Sequence, residues 1–153
     1  MGVSGAGKTT IAKLLAERLE APFIDADDLH GSENVAKMSA GIPLTDEDRM
    51  PWLERVGKAL GQHPAPVVAC SALKRVYRDA LRAHAPQARF VMLAADVERL
   101  TVQVSGRDDH FMPPALLQSQ LETLEPLEDD EAGIVVRVDA GPEELVDRVV
   151  SRI

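Results

Sequence analysis

The chain alternates short apolar runs with longer stretches in which apolar residues recur every three or four positions. The short runs predict buried strands, and the amphipathic stretches predict helices. The predicted strands span residues 22–25, 66–70, 89–93 and 134–138, and the predicted helices span residues 8–19, 27–39, 45–60, 72–84, 97–104, 115–124 and 143–153. This alternation favours an α/β fold in which a parallel sheet has helices on both faces. Ligands of such sheets bind beyond the carboxyl ends of the strands, so the polar residues that follow each strand are the candidates for function.

The composition narrows the class of protein without identifying it. The 153 residues are 45% hydrophobic but only 3% aromatic, which predicts one aliphatic core of ordinary domain size. The net charge of −8 argues against a nucleic-acid partner. The single cysteine, Cys70, rules out an internal disulfide and suits a reducing compartment. We find no membrane-spanning run and no signal peptide, and therefore expect a cytoplasmic protein with no membrane partner.

A phosphate-binding motif opens the chain, because residues 2–9 fit G-x-x-x-x-G-K-[ST] in full and lead into the first predicted helix. Its glycines let successive backbone N–H groups point at phosphate oxygens, beside the positive end of the helix. Lys8 is expected to reach the β- and γ-phosphates, and the Thr9 hydroxyl to ligate Mg²⁺. By itself the motif predicts a nucleoside triphosphate site but does not separate kinase, GTPase, ATPase and motor. The residues assigned to the nucleotide are Gly2, Val3, Ser4, Gly5, Ala6, Gly7, Lys8, Thr9 and Thr10.

An acidic segment follows the strand at residues 22–25. Carboxylates there face the γ-phosphate, so one can hold a water of the Mg²⁺ shell and another can accept the proton of an attacking hydroxyl. Asp25 and Asp27 are the candidates for these roles, whereas Asp28 suits the dipole of a helix N-terminus. His30 taken alone is more often a structural histidine.

Several groups of residues, in the expected order from Gly2 to about Val138, resemble the gluconate kinases. One group looks like the substrate segment of that family, a second like its third-strand motif, and a third like its lid. The residues that carry the resemblance are 25–30, Asn34, Lys37, Met38, Gly41, Leu44, Asp46, Asp48, Arg49 and 51–53; then 70–74, 77–79 and 81–82; then Arg107, 110–112, Leu116, Leu117, Ser119, Gln120 and 123–126.

The resemblance implies a three-layer P-loop NTPase fold of the nucleoside-monophosphate-kinase type. It implies one kinase domain over residues 1–153, with a substrate-binding segment at about 25–61 and a lid at about 104–124. The implied reaction is transfer of the γ-phosphate of ATP, with Mg²⁺, to the 6-hydroxyl of D-gluconate, usually by a homodimer.

Site residues are carried over from the family by position. Asp27 is the expected base or ligand of the acceptor hydroxyl, and Asp25 a residue of the metal shell. Gluconate is a small anion covered in hydroxyls, so its site needs a cation and several hydrogen-bonding groups. The expected catalytic residues are Lys8, Asp27 and Arg107, and the expected gluconate ligands are Arg49 and Lys74 for the carboxylate and His30 and His110 for the hydroxyls.

Two departures from the family pattern leave alternatives open. Gln103 stands where a lid arginine is usual, about four residues before Arg107, and only Met1 precedes Gly2 where a central strand is expected between residues 66–70 and 89–93. We therefore expect the reading frame to begin further upstream. The alternatives are another kinase of this fold, acting on shikimate, a nucleoside or adenylyl sulfate, and a nucleotide-binding protein that no longer catalyses.

Overall fold

A computed structural model describes residues 1–62, 66–97, 100 and 114–153, with the backbone alone described at 114–116. All four predicted strands lie in these ranges, and no bound shifts by more than one residue. The strands are β1 (Phe23–Asp25), β2 (Val67–Ala69), β3 (Phe90–Ala94) and β4 (Gly133–Arg137), and the α-helices are α1 (Lys8–Arg18), α2 (Ser32–Ser39), α3 (Asp46–Gln62), α4 (Arg75–His84), α5 (Pro114–Thr123) and α6 (Pro142–Val150). Most of the helix predicted at 97–104 lies outside the described residues. None of the helices in the described ranges has the length and apolar character that crossing a membrane requires.

The strands pair in parallel, as predicted, but in two separate ladders. β1 pairs with β2, and β3 pairs with β4. Met1 lies beside β3, where its amino group donates to Val91 O at 2.5 Å and its carbonyl accepts from Leu93 N at 3.0 Å. On the other side, Gly2 N donates to Ser71 O at 3.1 Å, just after β2. The first two residues therefore bridge the two ladders near the carboxyl ends of their strands.

A groove of about 560 Å³ lies between β2 and β3, behind Met1. Its lining is largely apolar and includes Val67, Val68, Phe90 and Val91. This is the position expected for a strand ahead of the phosphate loop, and that strand stays a prediction.

The helices bury their apolar faces in two clusters. In one, Ile11 and Leu15 of α1 pack with Val146 and Val149 of α6. In the other, Trp52 and its neighbours on α3 pack with α4 residues and with Phe90, the first residue of β3. Apolar positions at helical spacing thus form the helix faces that the pattern predicted.

The helix predicted at residues 27–39 is in fact two elements. A 3-10 turn, Ala26–Leu29, is capped by the Asp25 side chain, and α2 begins only at Ser32. Between them, His30 and Gly31 are extended, with ψ angles of 140° and 160°. His30, a candidate site residue, therefore lies in an extended segment and not within a helix.

The helix predicted to begin at Ala72 begins at Arg75 instead. Ala72 has a φ of 42°, which is incompatible with a right-handed helix. The carbonyls of Ala72 and Leu73 accept hydrogen bonds from the buried Arg78 at 3.4 and 3.3 Å. Because these carbonyls bond to a side chain, the three residues before Arg75 form a loop that presents Lys74 at the helix N-cap.

Candidate active site

The phosphate loop has the backbone geometry that its glycines predict. Gly2 has a φ of 137°, and a Cβ there would lie 2.9 Å from the carbonyl oxygen of Leu93, so only glycine fits. The side chains of Val3 and Ala6 are buried and anchor the loop in the core. Lys8 opens α1, and its Nζ donates to Val3 O at 3.0 Å. The loop therefore lies at the positive end of α1, as a nucleotide site requires.

The acidic segment meets the phosphate loop through Asp25, the last residue of β1. Thr9 Oγ1 donates to Asp25 Oδ2 at 3.3 Å. The other carboxylate oxygen of Asp25 accepts from Asp27 N at 3.1 Å. Asp27 is exposed, and within the described ranges its own carboxylate accepts no hydrogen bond. The Thr9 hydroxyl, the Asp25 carboxylate and the backbone of Asp27 thus lie together, and the catalytic and metal-binding roles assigned to them stay predictions.

His30 is held beside this acidic turn. Its ring stacks on Trp52 with centroids 4.2 Å apart and an angle of 13° between planes. Trp52 is fixed in turn, because its Nε1 donates to Ala26 O at 2.6 Å. Burial lowers the pKa of His30 below its ordinary value, and the nearby Asp27 carboxylate opposes that shift. The neutral form of the ring is therefore favoured at neutral pH.

The two cations predicted to bind the carboxylate of gluconate, Arg49 and Lys74, lie near the same aromatic ring. The Arg49 guanidinium lies 5.7 Å from the centre of the Tyr77 ring, and Lys74 Nζ lies 5.5 Å from it. Lys74 Nζ also donates to both carboxylate oxygens of Asp46 at 2.8 Å, and the Tyr77 hydroxyl donates to the same carboxylate. The hydrogen bonds from Lys74 lower the pKa of Asp46, so both partners are charged. Arg49 has no salt bridge to any residue in the described part of the chain.

Two contacts tie the segment around α5 to the site. Gln120 of α5 accepts a hydrogen bond from the phosphate-loop N–H of Ser4 at 2.7 Å. The Arg78 guanidinium, fully buried, pairs with the equally buried Glu131 at 2.6 Å and donates to Glu125 O at 3.2 Å. The chain that follows α5 is thereby attached to the loop that carries Lys74. The predicted residues Gln103, Arg107 and His110, and lid residues 104–113, lie outside the described residues.

Comparison with known proteins decides the family. A family model for shikimate kinase matches residues 4–153. The thermosensitive gluconokinase of Escherichia coli K12 is 49% identical over 143 residues, which cover 91% of this chain and 76% of that protein. A crystal structure of a gluconokinase from Sinorhizobium meliloti 1021 superimposes with a TM-score of 0.91 at 46% identity and covers 99% of this chain and 87% of that one. The chain belongs to the gluconokinase family of shikimate-kinase-like P-loop kinases.

This membership confirms the fold class and the family resemblance read from the sequence. A shikimate kinase structure from Aquifex aeolicus vf5 covers 99% of this chain and 91% of its own, with a TM-score of 0.65, but is only 17% identical. That likeness therefore concerns the fold alone. As a gluconokinase-family member, the chain is an ATP-dependent kinase.

Three residues that support the site had no role assigned from the sequence. Trp52, Asn34 and Gln120 belong to the motifs of the gluconokinase family, but their contacts arise only in the folded chain. The four-residue spacing of His30 and Asn34 is the one local signal that could have suggested a contact. The contact between Ser4 and Gln120 spans 116 residues of sequence, so no local pattern announces it.

Proposed function

We propose that this protein transfers the γ-phosphoryl group of ATP to the 6-hydroxyl of D-gluconate, giving 6-phospho-D-gluconate and ADP. The observation that carries the proposal is the contact between Thr9 of the phosphate loop and Asp25 at the end of β1. This contact brings the nucleotide site and the acidic acceptor segment to one point. The kinship with proteins named gluconokinases supports gluconate as the acceptor.

Thr9 and Asp25 fit a Mg²⁺ ion that accompanies ATP. A hydroxyl and a carboxylate 3.3 Å apart are oxygen ligands of the type that Mg²⁺ takes together with substrate phosphates and waters. When bound, the ion neutralises charge on the phosphates. Lys8 and the loop N–H groups are proposed to bind the phosphates directly.

Asp27 is proposed to be the general base. Its carboxylate is exposed, and its backbone is held by Asp25, so the side chain extends from a fixed turn. As the acceptor oxygen bonds to the γ-phosphorus, the bond between that phosphorus and the β–γ bridging oxygen breaks. The hydroxyl proton passes to Asp27, and ADP leaves with the bridging oxygen.

Arg49 is proposed to bind the carboxylate of gluconate. Lys74 already pairs with Asp46, whereas Arg49 has no salt bridge within the described ranges and can offer two parallel N–H groups to a carboxylate. The charged pair of Lys74 and Asp46 then supplies a donor and an acceptor for hydroxyls. His30 and, outside the described residues, His110 are proposed as further hydroxyl ligands, and Arg107 as a cation for the phosphates.

The test compares two substitutions that remove different functions. Lys8→Ala should abolish phosphorylation of gluconate and weaken ATP binding, because Lys8 serves the nucleotide. Asp27→Asn should lower kcat by about 10²–10⁴-fold while ATP binding persists. Asp28→Asn is the matched control, because Asp28 is an exposed neighbour on the same 3-10 turn and should leave turnover unchanged.

A coupled assay with ATP measures turnover, and a panel of gluconate, shikimate, nucleosides and adenylyl sulfate identifies the acceptor. Near-normal turnover of Asp27→Asn would refute the assignment of the base. Transfer to another acceptor in preference to gluconate would refute the substrate. ATP binding with no transfer to any acceptor would instead favour a non-catalytic nucleotide-binding protein.

The remaining parts of the proposal concern organisation. We infer one kinase domain over residues 1–153, with the substrate segment at about 25–61 and the lid at about 104–124. We also infer a homodimer in the cytoplasm, and the single buried thiol of Cys70 supports a reducing compartment. Light scattering of the purified protein measures the oligomeric state.

A further inference from the structure

The ring of His30 is held by a second residue, Asn34, in addition to Trp52. Asn34 Nδ2 lies 3.3 Å from His30 Nδ1. Asn34 is only 7% exposed, so this contact is shielded from water. The same Nδ2 donates to the backbone carbonyl of Asp48 at 2.9 Å, which ties the start of α2 to α3.

These contacts determine which ring nitrogen of His30 carries the proton. A backbone carbonyl only accepts hydrogen bonds, so the amide nitrogen of Asn34, and not its oxygen, must face Asp48. That nitrogen carries two hydrogens, and its second neighbour is His30 Nδ1. Nδ1 must therefore accept, and a neutral imidazole that accepts at Nδ1 is protonated at Nε2.

We propose that Asn34 is a positioning residue that locks His30 in the neutral tautomer with its proton on Nε2. Within the described residues, Nε2 has no hydrogen-bond partner. Resting on the proposed function, Nε2–H then donates to a hydroxyl oxygen of gluconate. His30 is thereby a fixed donor and not a base, which leaves proton acceptance to Asp27.

The charges around His30 agree with an uncharged ring. Burial is the largest influence and lowers its pKa; the Arg49 and Arg55 cations act in the same direction, and the Asp27 carboxylate acts against it. Protonation at Nδ1 would also set an N–H group against the donating amide of Asn34. Trp52 holds the plane of the ring, and Asn34 holds its tautomer.

The decisive measurement is NMR of the full chain labelled with ¹⁵N-histidine. His30→Gln assigns the His30 signals among the four histidines. In the native chain we expect the Nε2–H tautomer at pH 7 and a pKa below the ordinary 6.5. Asn34→Asp puts an acceptor against Nδ1, so the Nδ1–H form and a raised pKa are expected. Asn34→Ala should give a mixture of tautomers. Gln62→Glu, the same chemical change at an exposed site on α3, should alter neither property.

An Nδ1–H tautomer in the native chain, or unchanged His30 signals in both Asn34 variants, would overturn the proposal. The native measurement decides even if Asn34→Asp does not fold. Kinetics add a second readout, taken at a pH above the His30 pKa that NMR gives for each form, so that the ring is neutral in both: Asn34→Asp should raise the KM for gluconate about 3- to 10-fold with the KM for ATP unchanged. An unchanged KM for gluconate would overturn the substrate role of the tautomer. Failure of the native chain to phosphorylate gluconate would refute the proposed function, while the tautomer stands or falls on NMR alone.

Discussion

An apolar extension ahead of Met1 should stabilise this protein, because the structure holds a groove shaped for a strand. Met1 already pairs with β3 in the parallel manner, since it donates to Val91 O and accepts from Leu93 N. It therefore lies opposite Met92, and the lining continues back past Phe90 to Ala88. About four added residues, at 3.3 Å each, would reach that far. Residues such as valine and isoleucine suit this position between two strands.

The expected gain in stability has two sources: the extension removes a buried amino group, and it buries apolar side chains in the groove. Burial lowers the pKa of the Met1 amino group from 8.0 to about 5. That shift costs the folded state about 1.4 kcal/mol at pH 7, approaching about 4 kcal/mol below pH 5, and a peptide bond removes the cost. New ladder hydrogen bonds and the entropy of ordering about four residues roughly offset each other. Two well-buried apolar side chains add about 3–6 kcal/mol. The lower end of this sum, about 4 kcal/mol, would raise Tm by roughly 8–16 °C.

Thermal unfolding and ATP titration of the present chain and of the chain with the apolar extension test this reasoning. A Gly-Ser extension of equal length is the control, because it moves the amino group but does not fill the groove. The sign of the pH effect is a further check. The Met1 amino group has its pKa lowered in the folded state, so the unfolded state binds more protons between pH 5 and 8, and the stability of the present chain should rise across that window. The extended form should lose that rise. Equal Tm and equal ATP affinity in the apolar and Gly-Ser forms would refute filling of the groove.

Two further substitutions test the segments on either side of α5. Glu131→Gln leaves the buried Arg78 without a charged partner and should lower the free energy of unfolding in urea by about 3–5 kcal/mol. The control Glu128→Gln breaks only an exposed pair with Arg75 and should lower it by less than about 1 kcal/mol. Similar losses of stability in the two variants would contradict a stabilising role for the buried pair. Gln103→Arg should leave gluconate phosphorylation unchanged or raise it, because an arginine is the usual residue at this position of the family's lid and its positive charge can screen the phosphates. A large loss of activity in a steady-state assay would reveal a specific role for Gln103.

The elements of the fold could be read from local pattern wherever one face is consistently apolar. The alternation of apolar runs located the four strands that the described residues contain. The start of α3 could also be predicted, because residues 45–48 look like a helix cap. In the structure Thr45 and Asp48 form the reciprocal hydrogen bonds of such a cap, between side chain and backbone, at 3.3 and 3.0 Å. Pattern failed at residues 27–39 and at the start of α4. In both places a long-range or loop contact, such as Arg78 on the carbonyl of Ala72, outweighs helix propensity.

The candidate site shows the same division between local and long-range information. The phosphate loop is a contiguous motif, and its geometry follows from its glycines. The cations were placed by resemblance, but their arrangement around Tyr77 depends on packing of α3 against α4. The tautomer of His30 depends on Asn34 and on the carbonyl of Asp48, so no local sequence pattern could predict it.

Asp25 connects the phosphate loop to the acidic turn that carries the proposed base. One of its oxygens accepts from Thr9 in the phosphate loop, and the other accepts from the backbone of Asp27. The nucleotide side and the proposed base are thus positioned by one carboxylate at the end of β1. Capping by Asp25 also sets the 3-10 turn that ends at Leu29, and the extended conformation of His30 follows directly from the end of that turn. The break that the sequence pattern missed therefore separates the proposed base, Asp27, from the proposed hydroxyl donor, His30.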